Sequence, residues 1–336
     1  MLKEFKNKTI LVTGGTGTIG SKLVEALLKE GPKQIRVFSR DESKQYELLE
    51  HLQHHPKLRF LIGDIRDAER LELALQGVDI VFHAAALKHV PFCEYNPFEA
   101  VKTNIIGPQN VIKMALKNKV SKVIAISTDK VVNPIGIMGI SKLMMERLFV
   151  NANYYKGNSK TIFSCVRFGN VLWARGSVLK LWEQQVKNDR SLTITDKEMT
   201  RFFMSQDDAI DLTFTAARLM KGGEIFVFKM HSIKILDLAK IFLQKYFPNK
   251  KVNLKVVGKR AGEKLHEELI GTNEGESEIF ENKKMFIIRP VVSIYSLNRK
   301  KLSPYSGFQK VTRPDLYSSK DYLSPEGVKK ILNRDL

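Results

Sequence analysis

At 336 residues with a formal net charge of +19, the chain has the length of one large or two small domains, and its charge raises the question of an anionic partner. Its 43% hydrophobic and 27% charged residues are those of an ordinary soluble globular protein. No apolar run approaches the roughly 18 residues of a membrane span, and Cys93, Cys165 and the seven histidines make no metal or redox spacing.

The N-terminal "MLKEFKNKTILVTGG" moves straight into a strand and a glycine turn, leaving no room for a signal peptide. A reduced, cytoplasmic protein without a structural metal is expected. Its positive charge is spread out, with denser stretches at "KYFPNKKVNLKVVGKR" and "NRKKL". No nucleic-acid module accompanies them, so the charge reads as solvated basic faces plus pockets for phosphorylated small molecules.

In chain order, "KTILVTG" predicts a strand, "GSKLVEALLKEG" a helix, "IRVFSR" a strand and "LRFLIGD" another. "VDIVFHAAA" and "KVIAIST" continue the strand series, with a helix over "EAVKTNIIGPQNVIKMALKN" between them. Such alternation predicts an α/β fold with a doubly wound parallel sheet, whose ligands sit beyond the carboxyl ends of its strands. After "FSCVRFGNV" the alternation loosens, and "GEIFVF" reads as one more strand returning to the sheet. The expected division is a nucleotide-binding Rossmann domain over 1–174 and 205–230, with a smaller interleaved α/β substrate-binding domain over 175–204 and 231–336.

The chemistry begins in "TGGTGTIG", which ends the first strand and opens the first helix with Gly14-x-x-Gly17-x-x-Gly20. Glycines permit the tight turn and let backbone N–H groups approach a pyrophosphate at the positive end of a helix. Thr16, Thr18 and Ile19 fill the loop and join the expected cofactor set. At the end of the second strand, where an acidic residue would hold the ribose of NAD, stand Ser39 and Arg40, with Lys44 one turn on. Arg40 offers a charge-assisted fork for a 2′-phosphate, which favours NADP. Asp64 and Ile65 at the third strand end suit adenine. Ala84, Ala85 and Ala86 at the fourth let a cofactor lie close.

These stretches, with "FSRDESK", "GDIRD", "HAAALKHVP", "STDK", "RFGNV", "RGSV", "MTRF" and "GEKLHE", resemble the extended short-chain dehydrogenase/reductase family. More narrowly, they resemble its inverting UDP-N-acetylglucosamine 4,6-dehydratase branch. The resemblance runs from about residue 8 to 268 and is weak over the last sixty or so residues. It implies transient oxidation at C4 of the sugar, which acidifies the C5 proton. A base then removes that proton, an acid protonates the departing C6 hydroxyl, and the hydride returns to C6. NADP is then regenerated at each turnover and stays tightly bound, and proton return from the opposite face inverts C5.

By the same resemblance Asp129 is the acid at C6 and Lys130 the base at C5. A lysine base needs its pKa lowered by burial or by neighbouring positive charge. Met138 and Lys142, four apart, share a helix face. In the wider family a tyrosine at the place of Met138 takes the C4 hydroxyl proton, while the lysine holds the nicotinamide ribose. "IMGISKLMME" resembles a capsule-pathway subgroup that carries methionine there. The C4 proton then goes to Lys130, Asp129 or Thr128, and the sequence leaves that choice open.

For the substrate, UDP-N-acetylglucosamine, the resemblance implies Lys88 near both cofactor and sugar and Asn170 at the diphosphate. Arg175, Ser177, Val178, Thr195 and Arg201 complete the sugar side, with Arg260 for a phosphate and Glu263 for the uridine ribose. Asn104, in "EAVKTNI", joins the cofactor set. The family implies a homo-oligomer, either dimer or hexamer. Two rival readings remain: a UDP-sugar 4-epimerase, which needs no acid and base at C5 and C6, and a non-catalytic dinucleotide-sensing or RNA-binding relative.

Overall fold

The structure is a computed structural model and describes residues 3–274, 277–290, 305–311 and 317–334. Six strands of the N-terminal half run parallel: β1 (Thr9–Thr13), β2 (Gln34–Ser39), β3 (Leu58–Ile62), β4 (Ile80–His83), β5 (Lys122–Ile126) and β6 (Ile162–Arg167). Their order across the sheet is β3-β2-β1-β4-β5-β6. Ile10 pairs with both Ile35 and Ile80, and Val123 with both Val81 and Phe163. The central strands are apolar along their length because helices cover both faces, and Ile10, Leu11 and Val12 are fully buried. Asp41 and Asp67 start the helices after β2 and β3 by accepting the N–H groups of Lys44 and Arg70. The strand order reverses between β1 and β4, which opens a crevice at their carboxyl ends.

Strand Ile225–Phe228 joins β6 in parallel, as "GEIFVF" predicts. Beyond it the sheet turns antiparallel through Met285–Arg289, Glu278–Glu281 and Gln309–Val311. The expected division placed these residues in the substrate-binding part, yet they extend the large sheet. Their buried Ile279, Met285 and Ile287 suit the open edge beside Ile225–Phe228, and a hairpin can add strands there without a crossover helix. Residues 275, 276, 291–304, 312–316, 335 and 336 of that division lie outside the described residues.

A second, smaller core forms from Leu179, Trp182, Leu192, Phe203, Phe242 and Leu332 with their neighbours. It sits among helices Val178–Lys187, Ile235–Tyr246 and Pro325–Arg334. Its residues come from three separated stretches, so the two cores interleave along the chain.

One buried ion network ties the end of β6 to the segment that carries Leu269 and Glu274. Arg167, at the end of β6, donates to both carboxylate oxygens of Glu146, at 3.1 and 2.7 Å. It also donates to Glu274 at 2.7 Å and to the Leu269 carbonyl at 2.9 Å.

Candidate active site

Two adjoining cavities open at the carboxyl ends of the parallel strands. The smaller, about 380 Å³, lies over β1, β2 and β3. The larger, about 620 Å³, runs under β4 and β5 toward the second core. Gly14, Gly17, Thr18, Ala84, Ala86 and Lys88 line both.

Gly14 has φ +65°, and a Cβ there would stand 2.7 Å from the Ala85 nitrogen, so only glycine fits this turn. Helix Thr18–Leu28 begins at Gly17 with no side-chain cap. Its first N–H groups are therefore available to an anion in the cavity that Gly17, Thr18, Ile19 and Gly20 line. Thr16 bonds Ser39 across the smaller cavity at 2.8 Å. Arg40, Lys44, Asp64, Ile65 and Ala85 stand around the same space. Arg40 is half exposed and 3.4 Å from Asp64, and Lys44 pairs with Asp41. Burial pushes the Asp64 carboxyl up, but hydrogen bonds from Arg66 and the charge of Arg40 hold it below the usual range.

The larger cavity gathers Thr128, Lys130, Met138 and Lys142 on the β5 side. Asn170, Ser177, Val178, Thr195, Arg201, Arg260 and Glu263 line it from the other side. Arg175 lines the smaller cavity, where its guanidinium donates to the Thr16 carbonyl. Lys88 donates to the Arg175 carbonyl at 2.7 Å, and burial followed by the Arg175 charge lowers its pKa. The side-chain oxygens of Ser127, Ser177 and Glu267, which line this cavity, include buried atoms without a hydrogen-bond partner among the described residues. Unpaired polar atoms of that kind fit a space built to receive a polar ligand.

Two expected residues do not line either cavity. Asn104 is buried on a π-helical turn, where its amide brackets the Leu87 backbone, accepting from its N–H at 2.8 Å and donating to its C=O at 2.9 Å. It also donates to Ser141 at 3.0 Å, so it braces the loop that carries Lys88. Asp129 is fully buried behind Lys130. Its Oδ1 accepts from Thr128 and from Lys130 Nζ, both at 2.9 Å, and its Oδ2 has no hydrogen-bond partner among the described residues.

The lowered pKa that a lysine base needs is not what Lys130 has. Burial lowers it, but Asp129 and Glu267 together outweigh burial and raise it above the usual lysine value. Glu267 was not singled out from sequence, although it ends "GEKLHE". It is buried in the cavity wall, with Oε1 3.5 Å from Lys130 Nζ and 3.9 Å from Arg201 Nε. Lys142, by contrast, is lowered to about 8 by burial, against the charge of Glu146. Its ammonium donates to the Ile126 carbonyl at 2.6 Å and contacts Met145 sulfur at 3.1 Å.

Met138 is buried among Cys93, Ala100, Leu87 and Val90 and shows the cavity one edge. Next to it, Gly139 packs so closely that a Cβ would lie 2.4 Å from the Lys130 carbonyl oxygen. A side chain that can only shape and dry this space should be replaceable by one of similar volume. Met138→Leu is expected to cost about 1.5 kcal/mol or less, roughly tenfold in turnover. A thousandfold loss with fold and dinucleotide binding intact would mean that the sulfur itself matters.

Among the described residues no group of three or more His, Cys, Asp or Glu could hold a metal ion. No helix among them is long and apolar enough to cross a membrane.

Known proteins resemble this chain over most of its length. The chain is 49% identical to "Uncharacterized membrane protein MJ1061" of Methanocaldococcus jannaschii, covering 98% of this chain and 96% of that one. It is 44% identical to the inverting UDP-N-acetylglucosamine 4,6-dehydratase of Campylobacter jejuni (86% and 84% covered). It is 46% identical to the UDP-glucose 4-epimerase of Rickettsia felis (80% of each). Among solved structures, Pen from Bacillus thuringiensis superposes with a TM-score of 0.91 at 41% identity, over 98% of this chain and 99% of that one. The polysaccharide biosynthesis protein family matches residues 10–290, and the chain belongs to that family, within the extended short-chain dehydrogenase/reductases.

Proposed function

We propose that this protein is a UDP-N-acetylglucosamine 4,6-dehydratase that inverts C5. The observation carrying the proposal is the Thr128–Asp129–Lys130 turn at the end of β5. Thr128 and Lys130 of that turn line one cavity with the glycine loop at one side and Arg260 and Glu263 at the other, and Asp129 is buried directly behind Lys130. Transfer of hydride alone would need no acid and base of this kind beside the cofactor space. When bound, the nicotinamide would supply a hydride acceptor for C4 and a donor for C6, and the C4 hydroxyl proton would pass to the Thr128–Lys130 turn. Lys142 would hold its ribose, and Met138 would keep water from the space beside it. Lys130 would remove the C5 proton, and Asp129, buried behind the cavity wall, would protonate the leaving hydroxyl through the Thr128 hydroxyl that bonds it at 2.9 Å and lines the cavity. Arg260 and Asn170 would take the diphosphate and Glu263 the uridine ribose.

The test is incubation of purified protein with UDP-N-acetylglucosamine, followed by mass and NMR. A product lighter by one water supports the dehydratase. An unchanged mass with an inverted C4 supports the second reading, a 4-epimerase, which the Rickettsia similarity favours. Exposed Phe92, Tyr95 and Phe98 support a homo-oligomer.

NADP is the proposed cofactor, because Arg40 and Lys44 bring two cations to the smaller cavity. Purified protein should prefer NADP over NAD, and Arg40→Ala should erase most of that preference. The expected change is about tenfold or more, the size of one hydrogen bond to a charged group. Equal affinity of the unmodified protein for both dinucleotides, by titration calorimetry, would refute the choice.

A further inference from the structure

We propose that Glu267 is a positioning residue of the acid–base machinery, holding Lys130 from the side opposite Asp129 and stabilising the ammonium that forms when Lys130 takes the C5 proton. This rests on the dehydratase reading and adds to it a residue that the reading does not assign.

Three observations carry the inference. Glu267 reaches Lys130 from a segment 137 positions away in sequence, with Oε1 3.5 Å from Nζ. Its carboxylate is buried in the cavity wall, and Oε2 has no hydrogen bond among the described residues, only the Lys264 ammonium at 3.5 Å. Its backbone is fixed on both sides by Ser319, whose Oγ accepts the Glu267 N–H at 2.9 Å and whose N–H donates to the Glu267 carbonyl at 2.8 Å. A buried carboxylate short of hydrogen bonds depends on the cations around it, and this one is held firmly beside a cation whose charge can change.

The charged groups around the pair are Asp129 on the turn of Lys130, Arg201 on strand Thr200–Met204, and Lys264, whose Nζ lies 3.5 Å from Glu267 Oε2. Lys130 can pass a proton to Asp129 Oδ1, 2.9 Å away, which leaves a neutral amine and a protonated acid. In the next step the C5–H bond breaks, its proton joins the amine, and its electron pair moves toward the C4 carbonyl. The ammonium regained at Lys130 then faces Glu267, which stays ionised throughout. This is the logic by which a buried carboxylate orients a base and supports its charged form. The two carboxylates that raise the Lys130 pKa are the same groups that strengthen it as a base.

The experiment is a pH–rate profile of the holoenzyme on UDP-N-acetylglucosamine, with deuterium incorporation at C5 measured alongside. Glu267→Gln should lower kcat by about tenfold to a hundredfold, within the range of base catalysis, and leave KM and dinucleotide retention near the unmodified values. Its ascending limb should move toward acid by about one pH unit or more, because removal of a nearby negative charge lowers the pKa of the base. Glu267→Asp, which keeps the charge, should leave the limb in place. Lys264→Met removes a competing cation and should move the limb toward alkali, so it carries the test if Glu267→Gln does not fold. A limb that stays put in both Glu267→Gln and Lys264→Met, or near-normal kcat in Glu267→Gln, overturns the assignment. If the unmodified protein releases no water from the substrate, the dehydratase reading falls and this proposal falls with it. If it dehydrates while the limbs do not move, this proposal alone falls.

Discussion

Lys130→Ala is expected to stop solvent deuterium from entering C5 and to lower turnover by about a hundredfold to ten-thousandfold, the range for loss of a positioned proton acceptor. The ammonium it removes stands beside two buried carboxylates, at 2.9 Å from Asp129 and 3.5 Å from Glu267. Asp129→Asn should separate the two proton transfers. It should still permit exchange at C5 but slow the loss of water, because an amide cannot deliver a proton to the departing hydroxyl. The check is deuterium content by NMR in partly converted substrate, with thermal unfolding confirming that each variant folds. Normal exchange in Lys130→Ala would show that another group removes the C5 proton.

The largest expected effect on stability lies away from the cavities. Arg167→Met should cost about 3–5 kcal/mol, because removing one partner of a buried ion network strands the others. Here the stranded groups would be Glu146 and Glu274, both buried, along with the Leu269 carbonyl. Burial alone lowers the Arg167 pKa, but the two glutamates outweigh it and push it above the ordinary arginine value. Denaturant unfolding measures the loss. A change below about 1 kcal/mol would show that water or a rearranged neighbour replaces the guanidinium.

The parallel half of the fold was legible because its signals are local. Apolar runs such as Thr9–Thr13 and Lys122–Ile126 are buried on both faces, and each is followed by a turn whose glycine or aspartate announces the next helix. The turn bearing Asp129 and Lys130 was legible for the same reason, since a motif at a strand end fixes its place in a doubly wound sheet. Glu267 was not. Its role depends on a contact with Lys130 that spans more than a hundred residues, and nothing in "GEKLHE" distinguishes it from Glu263. The hairpin over residues 278–289 was missed because short alternating strands carry no sign of which sheet they will join. The charge of Lys130 was also beyond reach, because burial and two carboxylates act on it in opposite directions, and only distances decide which prevails.

The close seat of Gly139 on the Lys130 carbonyl has a consequence for how such a site can change over generations. The turn and the helix meet there through backbone, so their spacing does not depend on which side chain stands at position 138. A lineage can exchange that side chain and keep Lys130 and Lys142 where they were, whereas a first methyl group at 139 must pry the two elements apart. Inherited variation is therefore open at one position and closed at its neighbour. A methionine in place of a proton-carrying residue is a step such a lineage can take without first rebuilding its scaffold.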